Sequence, residues 1–218
     1  DKDKAISDFT KIFNGKKGEK FDYAKYSVAQ LATKKQACAT VKDLKTDWII
    51  YGWQTDGVLN RKEYATLQVI DSLLGSGMSS RLFKNLRDRD GLAYQLGSQF
   101  SPHVVKGSFI TYIGTNPENF DYAQKRMLEE VFRLKTEFVG SKELQEAKDK
   151  LLGHYIIGQE TNLDKATTIG WFETFGRGYK FDDQYAQLIN SVTESDIIEV
   201  ANKVFTNNYV LSVVKPQS

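Results

Sequence analysis

Arg87 and Tyr94 are two residues of this sequence whose side chains could act together on a polar substrate. Arg87 lies near the end of a short predicted helix, and Tyr94 follows seven residues later in a predicted strand. A guanidinium offers fixed N–H donors to a peptide carbonyl or a carboxylate, and a phenol O–H can donate to a developing oxyanion. The two residues could therefore bind a substrate and stabilise negative charge on it.

The surrounding pattern favours a plainer role for both residues. Tyr94 shares a strand face with apolar neighbours, as a tyrosine of the core would, and Arg87 belongs to a basic run that is typical of a solvated face. The apolar neighbours are Leu92, Leu96 and Phe100, and the basic ones are Arg81, Lys84 and Arg89. Pattern alone does not select the pair as functional.

The segment GSGMSS, which contains Gly75, Gly77 and Ser79, is a second candidate for binding a ligand. A P-loop or a dinucleotide-binding turn follows a strand and opens a helix, so that helix N–H groups face the phosphate. This segment follows a predicted helix and contains no GK[ST]. The residues therefore predict the end of one helix and the start of another.

The histidines and the cysteine form no familiar catalytic or metal-binding motif. His103 and His154 each lack a second histidine three or four residues away, so HExxH and HxxEH are both absent, as is a GxSxG nucleophile elbow. Cys38 is the single cysteine and cannot form an internal disulfide. In the strand-like stretch QACATV we expect it to be a small buried hydrophobe.

The elements that must position these residues indicate an α+β fold. The stretches QACATVKDL, DWIIYGWQT, GLAYQLGSQFS and GSFITYIGT predict strands, the last two joined as a hairpin, and NYVLSVVKP predicts a final strand. Both faces of DWIIYGWQT are apolar, which indicates a central strand covered on both sides. We expect a mostly antiparallel sheet with helices packed on one face. A doubly wound parallel sheet fits poorly because strands and helices do not alternate.

Helical periodicity and capping residues predict where the helices lie. The first is predicted over residues 4–13, a second ends at Gly75, and Ser79 or Ser80 begins a short one that runs through Arg87.

The second half of the chain is predicted to be mostly helical, with N-caps at Asn116, Ser141 and Thr193. The apolar stripe after Asn116 predicts a helix that continues to Phe138, and Asp196 follows Thr193 at capping-box spacing.

Length and charge place the chain among ordinary globular domains. It has 218 residues, 40% of them hydrophobic, and a formal net charge of +2, which gives no reason to expect nucleic acid or an anionic membrane as a partner. No apolar run approaches the ~20 residues that span a bilayer. We expect a soluble protein, with the cytoplasm as its compartment. The chain begins with Asp1 and shows no signal peptide, so we expect a processed start or a cut inside a longer protein.

The stretch LLGSGMSSRLFKNLRDRDGLAYQLGSQF resembles a signature of the pitrilysin/insulinase family of zinc metallopeptidases, which includes the mitochondrial processing peptidases. The surrounding segments ACATVKDLKTDWIIYGW, GSFITYIGTNPENFDYA, ELQEAKDKLLGHYIIGQE and YVLSVVKP agree with its C-terminal domain. The resemblance covers roughly residues 34–216. It implies an N-terminal helix and linker over 1–33 and a zinc-free peptidase domain over 34–218.

The resemblance implies a function shared between two halves that enclose a chamber. One half carries zinc on HxxEH and a distant glutamate, and activates water there. The other contributes an arginine and a tyrosine seven residues apart that contact the substrate and the oxyanion, and these match Arg87 and Tyr94 by position. Gly75, Gly77 and Ser79 would then lie at the rim of the path of an extended peptide.

The absence of HxxEH is the main departure from the family pattern. This chain resembles the second half, so the zinc-bearing half is expected either earlier in the same polypeptide or in a separate, homologous subunit. The chain alone is expected to bind no catalytic zinc and to cleave nothing. Two alternatives stay open: a structural relative that has lost proteolysis, and a peptide-binding module without chemistry.

Overall fold

The computed structural model describes residues 1–14, 18 and 35–217, and within them the predicted α+β fold is confirmed. The strands are β1 (Lys35–Val41), β2 (Asp47–Asp56), β3 (Ala93–Ser101), β4 (Lys106–Thr115) and β5 (Val210–Pro216). The helices are α1 (Lys2–Phe13), α2 (Arg61–Leu74), α3 (Phe120–Arg133), α4 (Ser141–Ile157), α5 (Asn162–Thr174), α6 (Asp182–Asn190) and α7 (Glu194–Val204). A π-helix (Phe83–Arg89) and two 3₁₀ turns (Pro117–Asn119 and Tyr179–Phe181) complete the described elements.

The five strands form one mostly antiparallel sheet in the order β1-β5-β2-β4-β3. β2 lies in the middle and pairs antiparallel with β4 and β5, β3 and β4 form the predicted hairpin, and β1 runs parallel to β5. β3 therefore ends the described sheet on one side, directly after the π-helix.

The core lies between one face of the sheet and the helices. Ile49, Tyr51 and Trp53 of β2 are almost completely buried, and the Phe205 ring lies edge-on to Trp53 at 5.2 Å. The alternate residues of β2 are only half-buried, so the expectation of a strand covered on both sides is correct for one face. Because an antiparallel sheet needs a helical layer on one face alone, its other face can stay open to water.

Local capping signals located most helix ends but not all of them. Thr193 and Asp196 form the predicted capping box, and Gly75 caps the end of α2. The helix predicted to reach Phe138 instead ends at Arg133, because its last turn tightens to bonds of the 3₁₀ type, and Phe138 is exposed. Ser141 was also wrong as an N-cap, since Gly140 holds that position and Ser141 is the first residue of α4.

Cys38 is exposed, which corrects the expectation of a buried thiol. It lies on β1, where the residues from Gln36 to Val41 are exposed on both faces, because in the described ranges β1 has one strand neighbour and lies at the margin of the sheet. The proposed domain boundary at residues 33 and 34 lies outside the described residues. No helix of the described part is both long and apolar enough to cross a bilayer.

Candidate active-site half

Arg87 lies in a π-helix rather than in the last turn of an ordinary α-helix. The wide turn shows in the bond from the Asp90 N–H to the Asn85 carbonyl, five residues back, at 3.1 Å. Ser80 begins this segment and accepts from the Phe83 N–H, which decides between the two predicted caps. π-helical turns are rare and occur frequently at functional sites. The extra residue per turn changes the direction in which Arg87 leaves the backbone.

Tyr94 lies at a β-bulge that turns its side chain out of the core. Ala93 pairs with Thr115 and Gln95 pairs with Gly114, so Tyr94 is an extra residue opposite two consecutive partners. Its side chain is 80% exposed, which overturns the pattern-based interpretation of a core tyrosine. A bulge breaks the period of two along a strand and often re-aims a side chain next to an active site.

The two irregular segments bring Arg87 and Tyr94 together. The guanidinium carbon of Arg87 lies 4.7 Å from the centre of the Tyr94 ring and 4.5 Å from that of Phe83. Both distances are within the range of a cation–π interaction. Contact with two rings limits the orientations of the guanidinium, and a cation–π contact leaves its N–H groups able to donate hydrogen bonds.

Arg87 also differs from the arginines around it in having no carboxylate partner among the described residues. Arg81 donates two hydrogen bonds to Glu143, at 2.7 and 2.8 Å, and these bonds lower the pKa of the Glu143 carboxyl. Arg89 pairs with Asp90 at 2.9 Å. The basic run is therefore not one solvated face, because the Arg81 side chain is only 12% exposed in its ion pair with Glu143, whereas Arg89 is 57% exposed.

Gly75 has a structural reason to be glycine. It ends α2 against β3, where a Cβ would lie only 2.0 Å from the Ser98 backbone nitrogen. Asp71 of α2 accepts a hydrogen bond from the Ser98 hydroxyl at 2.5 Å, which further ties the end of α2 to the strand, and burial raises the pKa of its carboxyl. Gly75 thus permits the close contact between α2 and β3, the strand that carries Tyr94.

Gly77 and Ser79 lie on the exposed part of the same loop. Gly77 has a positive φ of 74°, a conformation that disfavours residues with a Cβ, and nothing would contact a Cβ at this position. Gly77 and Ser79 are exposed, which leaves them accessible to a ligand, although a contact with substrate stays a prediction.

Lys150 anchors this loop, and the sequence pattern gave no sign of it. From α4 its Nζ donates to the carbonyls of Ser72 and Ser76, both at 2.6 Å, and to the Ser79 hydroxyl at 3.3 Å. A cation at the carbonyl end of a helix satisfies acceptors that have no partner within the helix. Burial lowers the pKa of Lys150, and the nearby Asp71 carboxylate opposes that shift.

The part of the chain that the structure describes contains no group of side chains that fits a zinc ion. Among residues 1–14, 18 and 35–217, no group of three or more His, Cys, Asp or Glu side chains could hold a metal. His103 lies in the β3–β4 turn, and His154 lies on α4 beside a cavity of about 470 Å³. The cavity is lined by side chains of α2, α4, α5 and α6 and by Pro102 of the β3–β4 turn, and it does not include Arg87 or Tyr94.

Comparisons with known proteins find relatives that match most of this chain. A curated relative from Rickettsia felis, named an uncharacterized zinc protease, is 30% identical over 99% of this chain and 51% of its own length. A Bacillus subtilis protein with the same kind of name is 29% identical over 69% of this chain and 37% of its own length. The chain spans about half the length of the Rickettsia relative.

Solved structures show the same fold at lower identity. A protease from Helicobacter pylori matches with a TM-score of 0.84 at 21% identity, over 99% of this chain and 53% of that chain. A peptidase M16 inactive domain from Pseudomonas fluorescens matches with a TM-score of 0.74 at 19% identity, over 88% of this chain and 47% of that chain. The family model described as the peptidase M16 inactive domain matches residues 1–151. The chain therefore belongs to the peptidase M16 family of zinc proteases and corresponds to the domain of that family that is described as inactive.

Proposed function

We propose that this chain is the zinc-free half of a two-half metalloendopeptidase, in which Arg87 and Tyr94 contact the peptide substrate. The observation that carries the proposal is the exposed Tyr94 ring against the guanidinium of Arg87, which forms no ion pair with any described residue. Two backbone irregularities, the π-helix and the β-bulge, build this arrangement. The π-helix also buries Leu86 in the core, but Arg87 and Tyr94 themselves lie outside it.

The roles follow from the donor properties of the two side chains. The Tyr94 hydroxyl is a single O–H donor suited to an oxyanion that forms when water attacks a peptide carbonyl. The Arg87 guanidinium is a multiple donor suited to the carbonyl groups of a peptide backbone. Because Arg87 packs on the Tyr94 ring, it also keeps that ring in place.

The zinc ion and the attacking water must come from the other half, which is a domain earlier in the same polypeptide or a separate subunit. Membership of the inactive-domain family and the lack of a metal-binding group among the described residues both support this division. The peptide would lie extended beside the start of β3, which ends the described sheet and where Tyr94 and Gln95 are exposed. An extended peptide can add to a sheet edge through its own main-chain groups.

The test is kinetic and uses the assembled two-half enzyme with a fluorogenic peptide. Tyr94→Phe removes one donor and is expected to lower kcat about 10²- to 10³-fold with little change in KM. Tyr122→Phe is the matched control, because Tyr122 is also exposed but lies on α3. Arg87→Ala is expected to lower kcat/KM, with Lys84→Ala of the same segment as its control.

Full activity of both Tyr94→Phe and Arg87→Ala would refute the assignment of the site. If the assembled wild-type protein binds peptides but cleaves none, the result would favour a non-catalytic relative or a peptide-binding module.

A further inference from the structure

We propose that two residues of α3, Arg126 and Glu130, are positioning residues for Arg87. They hold the two ends of the wide turn from Asn85 to Asp90, which contains Arg87. The inference rests on the proposed function for what Arg87 does in hydrolysis, whereas the hold of α3 on the turn is a structural claim that can be tested without catalysis. It gives a purpose to a buried cluster of charges that does not itself contact substrate.

Glu130 is a buried carboxylate whose donors come from two elements. It accepts hydrogen bonds from Arg126 at 3.3 Å and from Arg133 at 3.2 Å, both within α3. It also accepts from the side-chain amide of Asn85 at 2.9 Å, and Glu130 as a whole is 0% exposed. Burial of a carboxylate is costly unless donors surround it, so these bonds are what makes its place possible. The bond to Asn85 is the one that leaves α3 and reaches the wide turn.

Arg126 connects α3 to the other end of the turn. Its side chain is only 13% exposed, and its Nε donates to the Asp90 carboxylate at 2.9 Å. Asp90 also accepts from Arg89, and the guanidinium groups of Arg89 and Arg126 hold the pKa of the Asp90 carboxyl below its usual range. Asp90 is therefore charged at neutral pH, and its contact with Arg126 is a full ion pair.

The two contacts from α3 end on the same two residues that make the turn wide. The Asp90 N–H donates to the Asn85 carbonyl, five residues back, and α3 holds the side chains of these two residues. Arg126 and Glu130 stand one helical turn apart on α3 and pair with each other. The distance between the ends of the wide turn is thereby fixed by a rigid element, and Arg87 lies between those ends.

The location of these contacts favours a positioning role over a purely stabilising one. Buried ion pairs contribute little net stability, because the loss of hydration offsets much of their attraction. In an ordinary α-helical turn the Asp90 N–H would donate to the Leu86 carbonyl, four residues back. That carbonyl accepts instead from the Leu92 N–H at 2.8 Å. A turn held at both ends keeps its extra residue, and with it the direction of Arg87 toward the Tyr94 ring.

The first experiment follows the contact between Arg87 and Tyr94 without measuring catalysis. The assembled two-half enzyme is labelled with 3-fluorotyrosine, and the fluorine resonance of Tyr94 is assigned by its loss in Tyr94→Phe. Arg87→Ala gives the position of this resonance when the guanidinium is absent from the ring. We expect Asn85→Ala to move the resonance by about half of that shift or more, because the turn loses one of its two holds on α3.

Glu143→Gln is the matched control. It weakens the ion pair that Arg81 forms with α4, and Arg81 lies before the π-helix and outside the wide turn. We expect the Tyr94 resonance of this variant to stay at its wild-type position. A general loss of stability near the site would move it in both variants.

An exchange of partners tests the contact between Asn85 and Glu130 directly. Asn85→Asp alone brings two carboxylates together and should displace the Tyr94 resonance. The double variant Asn85→Asp/Glu130→Gln restores one amide and one carboxylate, and should return the resonance toward the wild-type position. If Asn85→Ala does not fold, Asp90→Asn weakens the hold at the other end of the turn and is expected to displace the resonance in the same direction.

The second experiment is a double-mutant cycle with a fluorogenic peptide. Asn85→Ala should lower kcat/KM about tenfold when Arg87 is present, because a small displacement of a substrate contact is costly. In the Arg87→Ala background the same change should lower it less than about twofold, since a positioning residue has no effect once the residue that it positions is gone.

Four results would overturn the inference. They are a Tyr94 resonance that stays in place in both Asn85→Ala and Asp90→Asn, an equal movement in Glu143→Gln, no return in the exchanged pair, and the same loss of activity from Asn85→Ala with and without Arg87. A failure of the proposed function differs from all of these. Arg87→Ala would then keep full activity, while Asn85→Ala would still move the Tyr94 resonance.

Discussion

The guanidinium carbon of Arg87 lies 4.7 Å from the centre of the exposed Tyr94 ring, and neither side chain contributes to the core. Tyr94→Ala and Arg87→Ala should therefore change the free energy of unfolding by only about 0.5 kcal/mol, the range of surface substitutions. Urea denaturation of each variant measures this. In the two-half enzyme proposed above, the same variants are expected to reduce peptide hydrolysis strongly. A large loss of stability would instead mean that the pair is structural.

The glycines of the loop should differ sharply in their tolerance of alanine. Gly75→Ala forces a Cβ against the Ser98 backbone and should cost about 3 kcal/mol. Gly77→Ala meets open space but holds a positive φ, so about 1 kcal/mol is expected. Gly153→Ala in the interior of α4 also meets open space and should stabilise the protein by about 0.5–1 kcal/mol. Thermal unfolding measures the Tm of the three variants. An order of Tm other than Gly153→Ala above Gly77→Ala above Gly75→Ala would contradict this account.

Lys150 should act as a positioning residue for the loop from Gly75 to Ser79. Lys150→Met keeps the length of the side chain but removes its hydrogen bonds to two carbonyls and one hydroxyl. The loss of a charged donor to groups with little other access to partners should cost about 1–3 kcal/mol.

The change should also speed hydrogen exchange of the loop amides relative to the rest of the domain. Lys142→Met, on the exposed side of the same helix, is the control and should alter neither quantity. Unchanged exchange in Lys150→Met would show that the loop is held by other contacts.

The ion pair between Arg81 and Glu143 predicts a defined dependence of stability on pH. Arg81 lowers the pKa of Glu143 in the folded protein, so the unfolded chain binds a proton more readily. The stabilisation is therefore present above the unfolded pKa of Glu143, near 4.5, and is lost as pH falls through the folded value.

Because Glu143 is partly exposed, Glu143→Gln should cost only about 0.5–1 kcal/mol at pH 7. The difference from wild type should shrink as the pH falls below about 4.5. Denaturation curves at pH 7, 5 and 3 measure the difference in the free energy of unfolding between Glu143→Gln and wild type. A difference that grows as the pH falls would contradict the assigned direction of the pKa shift.

Local signals predicted the parts of the fold that depend on neighbours in sequence. The capping box of Thr193 and Asp196 and the stop at Gly75 are properties of a few consecutive residues, and both were correct. The predictions of a helix that continues to Phe138 and of a buried Cys38 were wrong, because both depend on the surrounding structure and not on neighbours in sequence. The position of Phe138 depends on where α3 ends, and that of Cys38 depends on the place of β1 at the margin of the described sheet.

The candidate site was the part that pattern reasoning handled least well. A period of two placed Tyr94 in the core, and only the bulge between Ala93 and Gln95 shows why it is exposed. The basic run around Arg87 looked uniform in sequence, because Glu143, which pairs with Arg81, is 62 residues away and is brought there by the fold. The family resemblance, and not periodicity, is what selected these two positions as candidates, and their role stays a prediction.

The place of β5 in the sheet determines when the protein can fold. β5 lies between β1 and β2, although it is made after every other described element. Lys35 pairs with Val210 across almost the whole domain, a contact of the kind that forms slowly because a long loop must close first. While the chain is still being synthesised, β1 has no described strand to join and β2 lacks one neighbour. Completion of the sheet is therefore expected only after synthesis of the domain, with β5 insertion as a late step.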